Sequence, residues 1–395
     1  MFSYKFKINI LLLLLVGLIS ESALGDNLSV IGIGRLGICS ALCFERAGYK
    51  VLGMDVMPAY VKQINNKTLK STEPLVEEYL QSSKNFKATT SLDEVLNFSD
   101  TCFIVVPTPT SQDENGYDHS ILTNLLTEIN KRQVRDKHFV ICCTIFPGYI
   151  RDTAQKILSD CVNCSISYNP EFIAQGTIIH DTENPDVILV GEASKEAGEE
   201  LKAIYNKVCR GNYTFACMTP DSAEITKLTL NCFVTTRIAF INMIGDLADL
   251  TPNADKYDIL RTLGQYKRIG VWNRCLRPGY GYGGPCLPRD NRTLGLYIKQ
   301  KGLEPLIPVA TDESNKFHAL FMAHQLLEQD LDEYVFEDVN YKDNCSVVIL
   351  EESQKLVVAK LMVQFGKKVI IKDRRDVIQQ VKQEFGDLFE YVEAN

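Results

Sequence analysis

Residues 28–37 read Leu-Ser-Val-Ile-Gly-Ile-Gly-Arg-Leu-Gly, and this stretch decides the fold. Its first four residues are apolar enough to predict a short buried strand, and the glycines that follow have the spacing Gly-x-Gly-x-x-Gly. A helical pattern then runs to Gly48, and a second apolar run, residues 51–54, ends at Asp55. Strand, glycine turn, helix, strand and acid therefore follow each other in the order of a dinucleotide-binding unit.

The chemistry of this unit predicts the cofactor. The glycines permit a tight turn and a close approach of the backbone to a pyrophosphate, and the helix N-terminus offers N–H groups to its oxygens. Asp55 is placed to accept hydrogen bonds from the ribose, where a carboxylate would repel a 2′-phosphate, so NAD is predicted rather than NADP. The predicted cofactor-binding residues of the turn are Gly32, Ile33, Gly34, Arg35, Leu36 and Gly37.

Strand and helix patterns alternate over the first two hundred residues, which predicts an α/β fold with a Rossmann-like, doubly wound parallel sheet. Ligands of such sheets lie at the carboxyl ends of the strands, so Thr108, Thr144 and residues 169–171 are candidate site residues. A long central helix is predicted from about Asp221 to Leu250. A smaller C-terminal α/β domain is predicted to begin its pattern with a strand at residues 346–350.

A glycine- and proline-rich loop, residues 278–290, contains the candidate nucleophile Cys286. A cysteine reacts as the thiolate, and nearby positive charge, here Arg289, lowers the pKa of a thiol. Asp290 is placed to hold a water molecule or transfer a proton. A buried cysteine in a turn is the alternative interpretation for an isolated residue of this kind.

Composition limits the function classes. The 395 residues suffice for two or three domains, and the net charge of −8 gives no electrostatic basis for nucleic-acid binding. The 13 cysteines are scattered without framework spacing, and the five histidines lack metal-ligand spacing, so no metal is predicted.

The N-terminus conflicts with a cytoplasmic location. Residues 1–25 have the layout of a secretory signal peptide, and seven Asn-x-Ser/Thr sequons give weak support to a secretory route. The sequon at Asn291 argues against it, because a glycan there would adjoin the candidate active site. The odd number of thiols and the nicotinamide cofactor instead favour the cytosol.

Several motifs together resemble the UDP-glucose/GDP-mannose dehydrogenase family, from about Leu28 to Asp373. They are the cysteine loop 278–290, Asn169-Pro170-Glu171-Phe172, the pair Lys227 and Asn231, Val106-Pro107-Thr108-Pro109, Thr144-Ile145-Phe146-Pro147-Gly148 and Arg268-Ile269-Gly270. Taken alone, Lys227 reads as a solvated helix charge, Asn231 and Thr144 as helix caps, and Glu171 as a loop carboxylate. Their joint occurrence in one order favours the family.

The resemblance implies an NAD-dependent, two-step oxidation of the C6 alcohol of a nucleotide sugar to the carboxylate, through a thiohemiacetal and a thioester on Cys286. It implies that Lys227 and Asn231 stabilise oxyanions, that Asp290 and Thr144 hold water, and that Glu171 assists hydrolysis. Thr108, Thr144 and Arg289 are expected on the cofactor side. The expected substrate-binding residues are Glu171, Phe172, Lys227, Asn231, Arg268 (towards a neighbouring subunit's substrate), Tyr280, Gly281, Tyr282 and Gly283. UDP-glucose is the expected substrate, with GDP-mannose, a UDP-N-acetylhexosamine or a catalytically silent NAD-binding relative as alternatives.

Two departures from the family pattern stand out. Gln175 occupies a position where some members carry a glutamate. The predicted strand at 346–350 runs directly into Glu351, so the C-terminal domain looks truncated and weak substrate binding is expected. The expected organisation is a leader (1–25), an NAD-binding Rossmann domain (26–220), a central helical domain with the catalytic loop (221–328) and a shortened C-terminal domain (329–395). A homodimer or larger homo-oligomer is expected to form through the central helix.

Overall fold

A computed structural model of the chain describes residues 27–111, 116–265, 278–342, 345 and 347–394. The leader predicted at residues 1–25 and the predicted substrate residue Arg268 lie outside the described residues. The chain divides into two compact units, with residues 107–124 and 144–153 belonging to the second unit although the sequence around them belongs to the first.

The first unit is built on an eight-stranded sheet. Its strands are β1 (Asn27–Ile31), β2 (Lys50–Met54), β3 (Phe86–Thr89), β4 (Thr101–Ile104), β5 (His138–Ile141), β6 (Ser165–Tyr168), β7 (Val187–Gly191) and β8 (Thr214–Met218). They lie in the order β3-β2-β1-β4-β5-β6-β7-β8, and only β6 and β7 pair antiparallel. The order reverses between β1 and β4, so the predicted doubly wound parallel sheet is confirmed.

Helices cover this sheet. They are α1 (Arg35–Arg46), α2 (Pro58–Asn65), α3 (Val76–Ser82), α4 (Leu92–Phe98), α5 (Ser120–Lys131), α6 (Ile178–Glu183) and α7 (Lys195–Val208), with an irregular helical stretch over residues 150–160. The side chains of Ser91 and Ser194 accept the backbone N–H groups of Glu94 and Ala197 and so cap α4 and α7. Residues 37–44 of α1 are all buried, which fixes the helix that follows the glycine turn.

The second unit contains α8 (Pro220–Asp249), α9 (Lys256–Gln265), α10 (Leu287–Gln300) and α11 (Leu306–Leu327). Helix α8 is the predicted central helix, and it is long and apolar enough to match a membrane span by composition. The polar side chains of Glu224, Lys227 and Asn242 are nevertheless buried along it. Buried polar residues at several turns favour a core helix.

The C-terminal part forms a three-stranded parallel sheet from β9 (Glu333–Glu337), β10 (Lys368–Asp373) and β11 (Glu390–Glu393), with β10 in the centre. Helices α12 (Gln354–Gln364) and α13 (Arg375–Phe385) connect the strands.

The strand predicted at residues 346–350 is wrong, because β10 pairs with β9. The described residues 347–350 bond to a turn that follows β9. The Asn340 side chain accepts the N–H of Ile349 at 2.7 Å and donates to the carbonyl of Val347 at 3.1 Å. The N–H of Tyr341 is donated to the carbonyl of Ile349 at 3.0 Å. The Asn340 side chain thus makes the hydrogen bonds to residues 347–349 that a neighbouring strand would otherwise make.

The misplaced strand was also the reason to expect a missing segment. Strand β9 ends at Glu337, and residues 338–350 separate it from Glu351. The expected truncation, and the weak substrate binding inferred from it, therefore lose their basis. Strand β9 was not predicted from the sequence because its charged residues, Glu333 and Glu337, alternate with the buried Tyr334 and Phe336.

Replacing Phe336 by alanine tests this assignment. Phe336 is 5% exposed in the core of the C-terminal sheet, so Phe336→Ala should lower the free energy of unfolding by about 3–5 kcal/mol. The neighbouring Val335 is 51% exposed, and Val335→Ala should cost less than about 1 kcal/mol. Urea unfolding measures both, and equal losses in the two variants would contradict the alternation.

Candidate active site

The glycine turn of the first unit has the geometry of a phosphate cradle. Gly32 has a φ of +92°, and a Cβ there would lie 2.3 Å from the carbonyl oxygen of Val105 after β4. A Cβ at Gly37 would lie 2.0 Å from the carbonyl oxygen of Gly32. A Cβ at Gly34 would meet no atom within 4 Å. Two glycines are thus required by packing within the protein, while Gly34 leaves open space at the N-terminus of α1.

Asp55 follows β2 directly, next to this turn. The N–H groups of Gly32 and Ile33 are both donated to the carbonyl of Met54, at 2.8 and 3.2 Å. One carboxylate oxygen of Asp55 accepts the N–H of Met57 at 3.0 Å. The acid is therefore fixed one residue beyond the strand end that holds the turn.

Glu171 and Phe172 also lie in the first unit, beyond the end of β6. A carboxylate oxygen of Glu171 accepts the hydroxyl of Ser40 on α1 at 3.0 Å. Asn169 is buried and anchors the segment, donating to the carbonyl of Leu189 at 2.9 Å and accepting the hydroxyl of Tyr205 at 2.5 Å. Gln175, the departure from the family pattern, accepts a hydrogen bond from Arg35.

Asp290 is the centre of the candidate site in the second unit. Its side chain is fully buried and accepts hydrogen bonds from the hydroxyl of Tyr117 at 2.7 Å, the amide of Asn231 at 2.6 Å and the guanidinium of Arg289 at 3.2 Å. Both carboxylate oxygens of Asp290 accept hydrogen bonds, so Asp290 fixes the orientation of the Asn231 amide and the Arg289 guanidinium. Tyr117 was missed by sequence reasoning because it follows no strand pattern or family motif.

Arg289 connects Asp290 to the loops that contain Thr108 and Thr144, which are expected on the cofactor side. Its guanidinium lies over the Tyr117 ring, 4.7 Å from the centroid, and donates to the carbonyl of Thr108 at 3.2 Å. The hydroxyl of Thr108 in turn donates to the carbonyl of Thr144 at 2.7 Å. The structure therefore brings together Thr108, Thr144 and Arg289, as the sequence predicts.

Cys286 directly precedes α10, at its N-cap position but without a side-chain capping hydrogen bond, and it is exposed. Desolvation by the surrounding protein raises the pKa of its thiol, and this effect outweighs the lowering by Arg289 and Lys227. Asp290 and Glu351 raise the pKa of the thiol further. Arg289 and Lys227 do lower the pKa of the thiol, but desolvation and the two carboxylates together outweigh them.

Lys227 is buried on α8, one turn before Asn231, and the two side chains share a helix face. Asn231 bonds to Asp290, and the ammonium of Lys227 is close enough to the thiol of Cys286 to lower its pKa. The predicted pair thus lies beside the predicted nucleophile.

Two glycines of the cysteine loop, Gly283 and Gly284, pack closely against the protein's own C-terminal part. A Cβ at Gly283 would lie 2.1 Å from the carbonyl oxygen of Glu352, and one at Gly284, whose φ is +81°, would lie 2.4 Å from the Tyr341 ring. Both glycines thus allow the segment after β9 to approach the loop closely.

Three side chains that sequence reasoning missed hold the loop backbone. Asn315 accepts the N–H of Tyr282 and donates to its carbonyl, each at 2.9 Å. Asn242 accepts the N–H of Gly279 at 3.1 Å. His318 bridges the carbonyl of Gly279, at 2.6 Å, to the carboxylate of Asp246, at 2.8 Å. Side chains from α8 and α11 thereby fix both ends of the stretch 279–282.

Within the described residues, no group of three His, Cys, Asp or Glu side chains is arranged to hold a metal ion. Asn291, which carries a sequon, is fully buried and donates to the carbonyl of Pro308 at 2.8 Å, so it is inaccessible to glycosylation in the folded chain.

Comparison with known proteins decides the family. Residues 26–209 match the NAD binding domain of the UDP-glucose/GDP-mannose dehydrogenase family, and residues 221–317 match its central domain. The chain belongs to this family. Strands β1–β7 lie in the NAD binding domain, which confirms the predicted cofactor.

Relatives with both substrate names match the chain. A GDP-mannose 6-dehydrogenase of Pseudomonas syringae pv. syringae is 29% identical over 280 residues, covering 68% of this chain and 63% of the relative. A UDP-glucose 6-dehydrogenase of Pseudomonas aeruginosa is 29% identical over 299 residues, covering 73% and 65%. The chain thus spans just under two thirds of the length of these relatives. A solved UDP-glucose dehydrogenase from Pyrobaculum islandicum is 27% identical, with a TM-score of 0.83 over 95% of this chain and 87% of that chain.

Two glycines of the cysteine loop provide a matched test of its packing. Gly283→Ala should lower the free energy of unfolding by about 1–3 kcal/mol, because the new Cβ meets the rigid Glu352 backbone. Gly279→Ala should change it by less than about 1 kcal/mol, because no atom lies within 4 Å of a Cβ there. Thermal unfolding measures both variants, and a tolerated Gly283→Ala would refute the close approach.

Proposed function

We propose that this chain oxidises the C6 hydroxyl of a nucleotide sugar to the carboxylate, with NAD as the oxidant and UDP-glucose as the substrate. The observation that carries the proposal is the cluster around Cys286: an exposed thiol at a helix N-terminus, near Arg289 and Lys227, beside the Asp290–Asn231 hydrogen bond. The name of the family and the relatives called UDP-glucose dehydrogenase support it. GDP-mannose remains the alternative, because the chain is equally similar to GDP-mannose 6-dehydrogenases.

The cofactor contacts are proposed for the glycine turn, Asp55, Thr108, Thr144 and Arg289. The glycine turn 32–37 would hold the pyrophosphate and Asp55 the ribose, where its charge disfavours a 2′-phosphate. Arg289 would support the cofactor side through its bond to Thr108. When bound, NAD accepts one hydride in each of the two oxidations.

The chain's own residues would handle the sulfur and proton chemistry. The Cys286 sulfur adds to the aldehyde carbon, and the carbonyl oxygen becomes the hydroxyl of a thiohemiacetal. Loss of a hydride and of that hydroxyl proton gives the thioester, and water then breaks the C–S bond to release the carboxylate and the thiol.

Lys227 and Asn231 would stabilise the oxyanions that form in these steps. One amide hydrogen of Asn231 is donated to Asp290, and the amide carries a second hydrogen that an oxyanion can accept. Asp290 would hold that amide in place and, with Thr144, position water. Glu171 would assist thioester hydrolysis. Substrate binding is proposed for Glu171, Phe172, Lys227, Asn231, Arg268, Tyr280, Gly281, Tyr282 and Gly283.

The nucleophile and the substrate can be tested together. The purified chain is given UDP-glucose, GDP-mannose or a UDP-N-acetylhexosamine with NAD or NADP, and NADH and the sugar acid are measured. UDP-glucose with NAD should give two NADH for each acid formed. Cys286→Ser should lower acid formation on the order of a thousandfold or more, while NAD affinity stays unchanged.

Cys217 is the other exposed cysteine among those described, and it lies in β8 of the first unit. Cys217→Ser should therefore retain full acid formation and serves as the control. Acid formation by Cys286→Ser at the rate of the unmodified chain would refute the thioester route. No NADH with any of the sugars would instead point to a catalytically silent NAD-binding protein.

We further propose that a second copy of the chain covers the exposed face of α8. Phe233, Phe240 and Leu247 follow each other at seven-residue intervals and are 53%, 50% and 60% exposed. Such an apolar stripe on one helix face is typical of an interface.

Phe240→Glu should shift the chain towards monomer in sedimentation velocity, because a charge would then be buried in the interface. Val392→Glu, at an exposed apolar position of β11, is the control and should leave the association state unchanged. If the unmodified chain sediments as a monomer, the proposed interface on α8 is wrong.

A further inference from the structure

The loop that follows β5 takes its shape from side chains. In the Thr144–Ile150 loop, Phe146 donates its N–H to Nε2 of His119 at 3.1 Å. Gly148 and Ile150 donate theirs to the two carboxylate oxygens of Glu224, at 2.5 and 3.1 Å. Pro147, between the first two donors, has no N–H. The donors at 146, 148 and 150 are therefore all satisfied by side chains rather than by a strand.

Glu224 is buried, with 1% of its surface exposed, near the start of α8. Its two hydrogen bonds fix Gly148, whose φ is +95°, and hold the loop to the helix that carries Lys227 and Asn231. A buried carboxylate that accepts two backbone N–H groups is a strong and directional anchor. Nothing in the proposed chemistry uses Glu224 itself.

We propose that Glu224 is a positioning residue of the site: its carboxylate sets the Thr144–Ile150 loop relative to Lys227 and Asn231. As a statement about catalysis this rests on the proposed function, because Thr144 is there a cofactor-side residue. His119 supports the same loop from its other end, since its ring stacks on Tyr149 with centroids 4.5 Å apart. Burial lowers the pKa of His119 to about 4, so Nε2 is available to accept the N–H of Phe146 near neutral pH.

The protonation state of Glu224 gives the anchor a pH dependence. Burial raises the pKa of Glu224 to about 7, the two backbone hydrogen bonds lower it, and of the facing charges Asp221 raises it and Arg151 lowers it. Above pH 7 both oxygens accept, whereas the protonated group keeps only one free acceptor. The loop should therefore tighten as the pH rises through about 7.

Global stability should respond in the opposite direction. A carboxyl whose folded pKa is raised contributes stability that is complete below its unfolded pKa and is lost as the pH rises through the folded value. The Tm of the unmodified chain relative to Glu224→Gln should therefore fall between pH 5 and pH 8. A merely structural residue with an ordinary pKa would give no such trend in this range.

The experiment is hydrogen exchange of the full chain at several pH values, compared with steady-state kinetics. Glu224→Gln should lower the protection factors of the Gly148 and Ile150 amides about tenfold or more at pH 8, because an amide in place of the carboxylate satisfies only one N–H. Protection of strand β7 should stay unchanged. The KM for NAD should rise about tenfold while kcat changes less than about threefold, since a misplaced loop weakens cofactor binding.

Two further variants distinguish loss of the Glu224 anchor from a general loss of stability. Glu224→Asp keeps the charge but is shorter by one methylene, so it should restore part of the protection. Asp221→Asn removes a second carboxylate near the start of α8, the one that pairs with the Arg151 side chain. This variant should leave the loop amides protected. Unchanged protection in Glu224→Gln, or equal loss throughout the chain in Glu224→Gln and Glu224→Asp, would overturn the proposal. Hydrogen exchange requires no turnover, so a failed dehydrogenase assay would refute the proposed function and leave this test intact.

Discussion

The hydrogen bonds to the Asp290 carboxylate hold together three parts of the second unit that are far apart in sequence. Tyr117, Asn231 and Arg289 come from the segment before α5, from α8 and from α10, and each donates to the same buried group. A buried carboxylate is stable only when such donors compensate for its lost hydration. The need to satisfy one acid therefore brings a tyrosine, an amide and a guanidinium together around Asp290, and Asp290 and Arg289 in turn act on the thiol of Cys286. The Thr108 and Thr144 loops follow through Arg289.

Around the site, side chains rather than neighbouring strands bind the polar groups of the loop backbone. Asn315 and Asn242 hold the cysteine loop, Glu224 and His119 hold the Thr144–Ile150 loop, and Asn340 holds the segment after β9. Irregular backbone that is buried needs a partner for each polar group. Amides and carboxylates provide those partners without imposing strand geometry, so the loops can present functional groups at angles that a sheet does not allow.

The sequence predicted the first unit well because its signals are local. The Gly32–Gly37 turn, Asp55 and helix α1 lie within thirty residues, and each depends on neighbours a few positions away. The C-terminal strand was mispredicted for the opposite reason. Residues 347–350 are as apolar as a strand, yet β10 pairs with Glu333–Glu337, and that choice depends on contacts with residues distant in sequence. The supposed gap before Glu351 disappeared with the corrected strand.

By itself the sequence determined the family, the NAD fingerprint, the candidate nucleophile and the doubly wound parallel class of the sheet in the first unit, because spacing and periodicity are properties of short segments. Tertiary structure alone decided that Tyr117 joins Asp290, that Asn242, Asn315 and His318 fix the cysteine loop, and that Glu224 anchors the Thr144–Ile150 loop. It also decided the direction of the Cys286 pKa, because desolvation and the carboxylates of Asp290 and Glu351 outweigh Arg289. The physical reason is common to these cases: burial and charge act through space, and the distances they depend on exist only once the chain has folded.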